Sequence, residues 1–238
     1  LRFDDIEKQL DKPPAPVTVR DDLPNPKQGH TWKFIAFGPD DMLYMSVGAP
    51  CNVCLSPPMV SAIVRMKPDG SGLEAFAEGV RNSVGFDFHP VTKELWFTDN
   101  GRDMMGDDVP NDELNVAWKS GLHFGFPFCH QGDVPDPKFG ALRACSTAEA
   151  PVLNVGPHVA AVGMTFYTGT LFPEWRGDLF IATMSPNFGR KVVRLALRET
   201  PEGMRVAGEE FLLTELNGTR FRDVKQGPDG LLYVVTDQ

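Results

Sequence analysis

Five basic side chains lie just ahead of strand-like segments that recur along the chain. They are His30, Arg81, His158, Arg220 and Arg222. If the segments are equivalent strands of one repeated fold, these side chains converge on one pocket. Guanidinium groups there suit an anionic ligand, because arginine binds a carboxylate through two parallel hydrogen bonds. A histidine in the same pocket can act as a general base.

A run of carboxylates follows the second of these segments. Its members are Asp99, Asp103, Asp107, Asp108, Asp112 and Glu113. Carboxylate, amide and main-chain carbonyl oxygens of an irregular loop are the ligands that Ca²⁺ prefers. The spacing is not that of an EF-hand, so the run predicts either a calcium-binding loop or a solvated acidic loop.

The cysteines are Cys51, Cys54, Cys129 and Cys145. Leu55 follows the CxxC pair, so the pattern of c-type haem attachment, which needs histidine there, is excluded. The other two cysteines form no second CxxC pair, which disfavours a zinc site. The remaining alternatives are one or two disulfides in an oxidising compartment and free buried thiols.

A turn followed by leucine and an aromatic residue recurs along the chain. The repeats are 36–48, 86–101, 172–184 and 225–237, with the pairs Leu43-Tyr44, Leu95-Trp96, Leu179-Phe180 and Leu232-Tyr233. Segments 62–80 and 191–216 each read as a strand, a turn and another strand. Four-stranded units that recur about every 40–50 residues are typical of a β-propeller. The pattern therefore predicts an all-β fold of four-stranded antiparallel blades.

We expect one incomplete propeller domain over residues 1–238, with about four blades. Residues 1–28 are polar and rich in proline, and they read as a loop that leads into the propeller. The wider gap between the second and third repeats predicts a long loop insertion within 101–156. Because the chain starts at Leu1 and stops beside a strand-like segment, we interpret it as a fragment whose targeting signal is missing.

The composition is globular, with 42% apolar residues, 23% charged residues and a formal net charge of −9. No run of basic residues is present, so the phosphate backbone of a nucleic acid is not an expected partner. No stretch of about 18 apolar residues exists, so no segment of this sequence is expected to span a membrane.

Several separate motifs resemble one known family. They are 30-HTWKFIAFGPDDMLY-44, 80-VRNSVGFDFHP-90, 98-TDNG-101, 111-NDELN-115 and 218-GTRFRDVKQGPDGLLYVVTD-237. In this order they resemble the glucose/sorbosone dehydrogenase family of soluble quinoproteins, which use pyrroloquinoline quinone (PQQ). The segments 51-CNVC-54 and 156-GPHVAAVGMTFYTG-169 are more similar to its sorbosone and aldose-type branch. The resemblance implies a six-bladed propeller, of which this chain is one part.

The resemblance also implies a function. The protein would oxidise an aldose or related sugar by hydride transfer to PQQ in the presence of Ca²⁺. An external dye, quinone or cytochrome would take the electrons, and the location would be periplasmic or secreted.

The family's motifs assign roles to matching residues. His30 would be the general base for the sugar's anomeric hydroxyl. Arg81 would polarise the quinone oxygens, and Asn82 would help to bind the cofactor. Arg220 and Arg222 would hold the carboxylates of the cofactor.

The same resemblance assigns two calcium sites. Gly101 and Arg102 would offer main-chain carbonyls to a calcium ion that also touches the quinone. Asp112 and Glu113 match a second, structural calcium site, which a main-chain oxygen near Phe124 would complete.

This sequence departs from the family pattern at two places. Ala49 stands where the family commonly has the aspartate that orients the catalytic histidine, so we expect a weaker base at His30. Phe188 stands where a cofactor-binding lysine is expected, with Arg190 or Lys191 as the nearby cations. His158 is placed where related enzymes have a residue that lines the pocket.

Two other functions compete with this interpretation. The first is a non-catalytic propeller that binds a carbohydrate or a protein, and the departure at Ala49 and the irregular segment 183–191 favour it. The second is a calcium-dependent lactonase or similar hydrolase, which requires a ring of side-chain carboxylates around an axial metal. The fold alone does not choose among them, since propellers carry many functions.

Overall fold

A computed structural model describes residues 1–187, 189–201, 203–216 and 218–237, and antiparallel β-strands dominate it. The strands are β1 Ile35–Phe37, β2 Leu43–Val47, β3 Ala62–Met66, β4 Glu74–Glu78, β5 Phe86–Phe88, β6 Leu95–Asp99, β7 Asn111–Ala117, β8 Leu122–His123, β9 Cys129–His130, β10 Val134–Pro135, β11 Leu153–Pro157, β12 Ala161–Phe166, β13 Leu179–Thr183, β14 Lys191–Thr200, β15 Gly203–Leu212, β16 Arg220–Gln226 and β17 Leu232–Asp237. Short 3₁₀ helices span Ile6–Lys8, Gly140–Leu142, Cys145–Thr147 and Pro173–Trp175. The prediction of an all-β fold is confirmed.

The strands form successive sheets along the chain. The first sheet has the order β1-β2-β3-β4, with β8 added in parallel to β4. The second has the order β11-β7-β6-β5, and the third has β12-β13-β14-β15. Strands β16 and β17 pair as a hairpin, and β9 and β10 form a small separate sheet. The first three sheets are thus antiparallel four-strand units of the kind that the repeat predicts.

Each leucine-aromatic pair begins the second strand of its sheet, namely β2, β6, β13 and β17. Leu95 and Trp96 are buried, and so are Leu179 and Phe180. Adjacent residues of a strand point to opposite faces, so burial of both means that the sheet is covered on its two faces. These two pairs therefore mark strands that lie between neighbouring sheets, whereas Tyr233 of β17 is exposed.

The sheets share cores in chain order. Phe76 of the first sheet packs in one cluster with Phe97 of the second. Trp96 of the second packs with Ile181 of the third, on the opposite face from Phe97. Phe221 of the β16–β17 hairpin packs with Phe180 of the third sheet. The apolar side chains, whose burial drives folding, thus stack the sheets face to face.

The segment 101–156 contains regular structure as well as loops. Strands β7 and β11 belong to the second sheet, and the irregular part lies between them. A disulfide between Cys129 and Cys145 closes part of this segment. A second disulfide joins Cys51 to Cys54. Of the alternatives for the cysteines, the structure therefore has two disulfides.

Residues 1–28 contain one short 3₁₀ helix and an isolated bridge between Arg2 and Val17. The Arg20 guanidinium donates a hydrogen bond of 2.8 Å to the Gly70 carbonyl, which ties this segment to the turn after β3. Within the described ranges, no helix is long and apolar enough to cross a membrane.

Gly85, just before β5 of the second sheet, lies close to the main chain of β12 in the third sheet. A Cβ built on it would overlap the Val162 carbonyl oxygen and lie 2.7 Å from the Gly163 Cα atom. We expect Gly85→Ala to lower the free energy of unfolding by about 1–3 kcal/mol, because main-chain atoms cannot move aside cheaply. Denaturant unfolding measures this.

The matched control is Gly208→Ala in β15. A Cβ there meets nothing within 4 Å. We expect a change within about 0.5 kcal/mol, as for an ordinary surface substitution. Equal losses for the two variants would contradict the close contact at Gly85.

Candidate active site

The turn at Ala49 links the two residues expected to carry the chemistry. Its carbonyl accepts a hydrogen bond from the His30 main-chain N–H at 3.0 Å, and its own N–H donates to the Arg81 carbonyl at 2.7 Å. Ala49 is fully buried. His30 and Arg81 are thus fixed relative to each other by main-chain bonds, at the wall of a cavity of about 790 Å³.

Most of the predicted site residues lie in this cavity. Those that line it are His30, Arg81, Asn82, Gly101, Asp112, His158, Arg190 and Arg220. Its volume is within the range of small-molecule sites. Of the five basic residues predicted from the repeats to converge, four line this cavity and Arg222 lines an adjoining cleft.

His30 is oriented by a main-chain atom. Its Nδ1 lies 2.9 Å from the Ala49 carbonyl oxygen. A carbonyl can only accept, so Nδ1 carries the proton and Nε2 keeps a lone pair. Burial, and then the charge of Arg81, hold the pKa of His30 below its usual value. The family's aspartate would orient this histidine from position 49 through its side-chain carboxylate. Here the main-chain carbonyl of Ala49 takes that role.

The Arg81 guanidinium is held on several sides. Its Nε donates to the Asn52 carbonyl at 2.9 Å, and one NH2 group donates to the Asn52 side-chain oxygen at 2.9 Å. The other NH2 group donates to the Asn100 carbonyl at 3.0 Å. The Asp103 carboxylate lies 3.4 Å away. Burial lowers the pKa of Arg81, while the nearby Asp103 opposes that change.

One carboxylate joins the two ends of the β5–β6 pair. Asp99 accepts hydrogen bonds from the main-chain N–H of Arg81 at 2.8 Å and of Asn82 at 2.6 Å. The Asn100 N–H donates to the Asn82 carbonyl at 3.3 Å. The residues that precede β5, Arg81 and Asn82, and the residue that follows β6, Asn100, therefore lie together beside Gly101.

Asp112 fixes a second strand end against the pocket. Its carboxylate accepts from the N–H of Gly101 at 2.8 Å and of Ala160 at 2.7 Å. Burial raises the pKa of Asp112 to about 6, although these hydrogen bonds from the main chain act in the opposite direction. Asp112 thus connects the loop after β6 to the segment that carries His158.

His158 lies in a left-handed backbone conformation, with φ of 51°. Its Nε2 lies 2.8 Å from the Gly106 carbonyl oxygen. Two elements of the pocket rim are thereby joined across the opening.

Arg220 and Arg222 approach the cavity from β16. The Arg222 Nε donates to Asp237 at 2.7 Å, and Arg220 lies 3.6 Å from the same carboxylate. Arg222 lines an adjoining cleft of about 710 Å³ that also contains His30. Arg190 forms a hydrogen bond with the Gly218 carbonyl at the rim. These cations surround one side of the pocket.

A much smaller cavity of about 10 Å³ lies behind the pocket, and Asp99, Glu113 and Phe124 line it. Burial raises the pKa of Asp99 and of Glu113. Glu113 accepts from the Gln131 N–H at 2.6 Å and from the Asn115 amide at 2.9 Å. The Asn115 side-chain oxygen is buried without a hydrogen-bond partner among the described residues. The predicted pair is divided, with Asp112 at the pocket and Glu113 at this cavity.

Three other predicted residues lie away from the pocket or outside the description. The Arg102 side chain donates to buried Asp136 at 2.6 Å, away from the cavity lining. The Lys191 ammonium lies 3.5 Å from the centre of the Phe211 ring. Phe188 lies outside the described residues.

Sequence reasoning missed several residues of the wall. Asn52 and Asn100 bind Arg81, and Met184 contacts Arg222 at 2.9 Å through its sulfur. Two signals were available, because Asn52 lies inside the CxxC segment and Asn100 lies within 98-TDNG-101. Met184 carries no motif.

The chain was compared with known proteins. The family model described as "Glucose / Sorbosone dehydrogenase" matches residues 17–238. The aldose sugar dehydrogenase YliI of Escherichia coli is 31% identical over 179 residues, which are 73% of this chain and 43% of that protein. An uncharacterised protein of Borreliella burgdorferi is 37% identical over 161 residues, or 66% of this chain and 42% of its own length.

Solved structures similar to this chain include sugar dehydrogenases as well. A glucose dehydrogenase crystal structure has a TM-score of 0.73 at 27% identity, covering 88% of this chain and 62% of that one. The soluble aldose sugar dehydrogenase of Escherichia coli in its apo-form has a TM-score of 0.68 at 25% identity, with coverage of 86% and 60%. The present chain spans about two-fifths of the curated relatives, which have 42% and 43% of their length matched.

The fold and the site define a class, namely stacked antiparallel sheets with a basic pocket at the strand ends and buried carboxylates behind it. Within that class the chain belongs to the glucose/sorbosone dehydrogenase family, because the family model matches nearly all of it.

Proposed function

We propose that the protein is a quinoprotein oxidoreductase that oxidises an aldose or related sugar, with PQQ as cofactor and Ca²⁺ as metal. The observation that carries this proposal is the pairing of His30 and Arg81. His30 is held with Nε2 free to accept a proton, and Arg81 is fixed beside it through Ala49. A base next to a buried guanidinium suits an oxidation in which a proton leaves the sugar's hydroxyl oxygen and a hydride leaves the carbon that bears it.

The pocket fits a flat, polycarboxylated cofactor by its chemistry. Arg190, Arg220 and His158 line the main cavity, and Arg222 lines the adjoining cleft. Guanidinium groups bind carboxylates bidentately. When bound, PQQ would supply the two-electron acceptor for the sugar's hydride. The side chains that would hold it are these cations together with Asn82.

A side chain of this protein accepts the proton in the proposed reaction. With Nδ1 bound to the Ala49 carbonyl, the His30 Nε2 would accept the proton of the sugar's anomeric hydroxyl. The imidazolium formed would keep its Nδ1 hydrogen bond. Arg81 stays in place because Asn52 and Asn100 already satisfy most of its donors.

The fit to calcium rests on buried oxygens. In the described ranges, no group of three or more His, Cys, Asp or Glu side chains is arranged to hold a metal. Main-chain carbonyls of Gly101 and Arg102 are therefore the donors we propose at the pocket. For a second ion we propose Glu113 and a main-chain oxygen near Phe124. Among the described residues, buried Glu113 has no cationic partner, and the Asn115 oxygen beside it has no hydrogen-bond partner, which supports a cation there.

The lactonase alternative needs a ring of side-chain carboxylates, and the described residues offer none. The non-catalytic alternative is supported by Ala49 and by the irregular segment 183–191. Since the Ala49 carbonyl orients His30, the first of these supports is weakened.

We further propose that the complete fold is a six-bladed propeller and that the protein is periplasmic or secreted. The two disulfides support an oxidising compartment. An external dye, quinone or cytochrome would accept the electrons.

The proposal is tested by adding PQQ and Ca²⁺ to the purified protein and measuring sugar-dependent dye reduction. Quinone binding with turnover supports it. Sugar binding without quinone binding would favour the non-catalytic alternative, and lactone hydrolysis without PQQ would favour the hydrolase.

Calcium should stabilise the protein. At a calcium concentration about a hundredfold above the dissociation constant, we expect a gain of about 2.7 kcal/mol by mass action. Glu113→Gln should remove much of this gain, because it removes the charge of a proposed ligand. Thermal unfolding with and without Ca²⁺ measures both.

Glu209→Gln is the matched control, since Glu209 is exposed on β15. It should leave the calcium effect unchanged. A wild-type protein indifferent to Ca²⁺, or a Glu113→Gln variant with the full gain, would contradict the site.

A further inference from the structure

The Cys51–Cys54 disulfide takes no part in the chemistry proposed above, although the CxxC segment lies against the pocket wall. Its disulfide closes a ring over residues 51–54, with Asn52 and Val53 between the two cysteines. All of these residues are partly buried. Such a short closed ring restricts the backbone of the residues inside it.

Asn52 is the residue of this ring that reaches the site. It offers the Arg81 guanidinium two acceptors, its main-chain carbonyl at 2.9 Å and its side-chain oxygen at 2.9 Å. The side-chain oxygen also accepts from the Asp103 N–H at 2.8 Å, and the side-chain amide donates to the Asp103 carbonyl at 3.0 Å. Every polar atom of the Asn52 side chain is thus directed at Arg81 or at its neighbour Asp103.

The Arg81 guanidinium depends on Asn52 for two of its hydrogen bonds. The Arg81 side chain is only 5% exposed, so water offers few alternative partners. Without Asn52, its remaining partners are the Asn100 carbonyl and the Asp103 carboxylate. Two acceptors from one residue match two N–H groups of the guanidinium and define its plane. Residues that hydrogen-bond to metal ligands orient those ligands in the same way.

We propose that Asn52 and the Cys51–Cys54 disulfide form a clamp that positions the Arg81 guanidinium for the cofactor. The clamp makes Asn52 a positioning residue, since it acts through Arg81. This inference rests on the proposed function for its consequence, but its geometry can be tested without any cofactor.

The first test measures the clamp directly. In ¹⁵N-labelled protein, the exchange rate of the Arg81 Nε–H with water reports its hydrogen bond to the Asn52 carbonyl. We expect faster exchange in the Cys51→Ser/Cys54→Ser variant, where the ring is open. An unchanged rate in that variant would overturn the clamp, whether or not PQQ binds.

The second test measures PQQ affinity by calorimetry in the presence of Ca²⁺. We expect Asn52→Ala to weaken binding about tenfold, the low end for an outer partner of a functional group. Asn25→Ala, which makes the same change at an exposed residue, should leave affinity unchanged. Wild-type protein that fails to bind PQQ would refute the proposed function, and the exchange experiment would still decide the clamp.

A double-mutant cycle separates positioning from a general structural effect. If Asn52 acts through Arg81, Asn52→Ala should change affinity by less than about twofold in an Arg81→Gln background. An equal loss in both backgrounds would overturn the positioning role. Matching midpoints of thermal unfolding for the wild type and Asn52→Ala would show that the variant is folded.

Discussion

His30→Ala should lower the rate of sugar-dependent dye reduction by at least about 10²-fold, the low end for loss of a general base. PQQ affinity should change little, because the proposed cofactor contacts come mainly from Arg190, Arg220 and Arg222. The measurement is kcat with saturating PQQ, Ca²⁺ and sugar, together with a separate PQQ titration. A rate within about tenfold of the wild type would show that His30 is not the base.

The pH dependence of the reaction rate should also report His30 as the base. The base acts when His30 is neutral, so activity falls as pH drops through the pKa of His30. Burial and Arg81 lower that pKa from its usual value of 6.5. The acid limb of kcat/KM should therefore have its midpoint below pH 6.5, and a midpoint clearly above that value would contradict the described environment.

Asp136→Ala should be the most destabilising of the substitutions considered. The buried carboxylate accepts from Arg102 at 2.6 Å and from His130 at 3.0 Å. It also accepts from the N–H groups of Lys138 and Phe139 at 2.8 and 2.9 Å. Removing one partner of a buried ion pair leaves the other unpaired, so we expect a loss of about 3 kcal/mol or more. Denaturant unfolding measures this loss.

Asp133→Ala is the matched control, because Asp133 is exposed in the same loop. It should change stability by no more than about 0.5 kcal/mol. Similar losses for Asp133→Ala and Asp136→Ala would show that the buried network contributes nothing particular.

Acid should abolish the contribution of Asp136 to the free energy of unfolding. Burial acts to raise its pKa, but the hydrogen bonds from His130 and Arg102 outweigh burial and lower the pKa to about 2. An unfolded aspartate titrates at about 3.9. A lowered carboxylate pKa stabilises the fold above the unfolded value, and the contribution is lost as pH falls through the folded value. The difference between wild type and Asp136→Ala should thus shrink between about pH 4 and pH 2.

The strands were predictable because they carry a local signal. Leu95-Trp96 and Leu179-Phe180 stand next to turns, and hydrophobic side chains on both faces of a strand require sheets on both sides. The repeat therefore located the second strand of each sheet. The loop insertion was predicted only to lie within 101–156, a range that also holds β7 and most of β11 of the second sheet.

The repeat predicted one part of the site. His30 and Arg81 precede strands, Arg220 begins β16, and all three line the pocket. Other lining residues were predicted from the family resemblance. Asn52 and Asp136 escaped prediction because their partners lie far along the chain. Asn52 is separated from Arg81 by 29 residues, and Arg102 from Asp136 by 34. Contacts of this kind depend on how the sheets stack, which no short motif records.

The hydrogen bond from His30 to the Ala49 carbonyl protects the site against mutation. A side-chain carboxylate in that role would be lost by one substitution, but every amino acid has a main-chain carbonyl. Ala49 is buried and its N–H also binds the Arg81 carbonyl, so packing limits its side chain to a small size. Within that limit, the residue at position 49 can change over evolution while the imidazole keeps its tautomer.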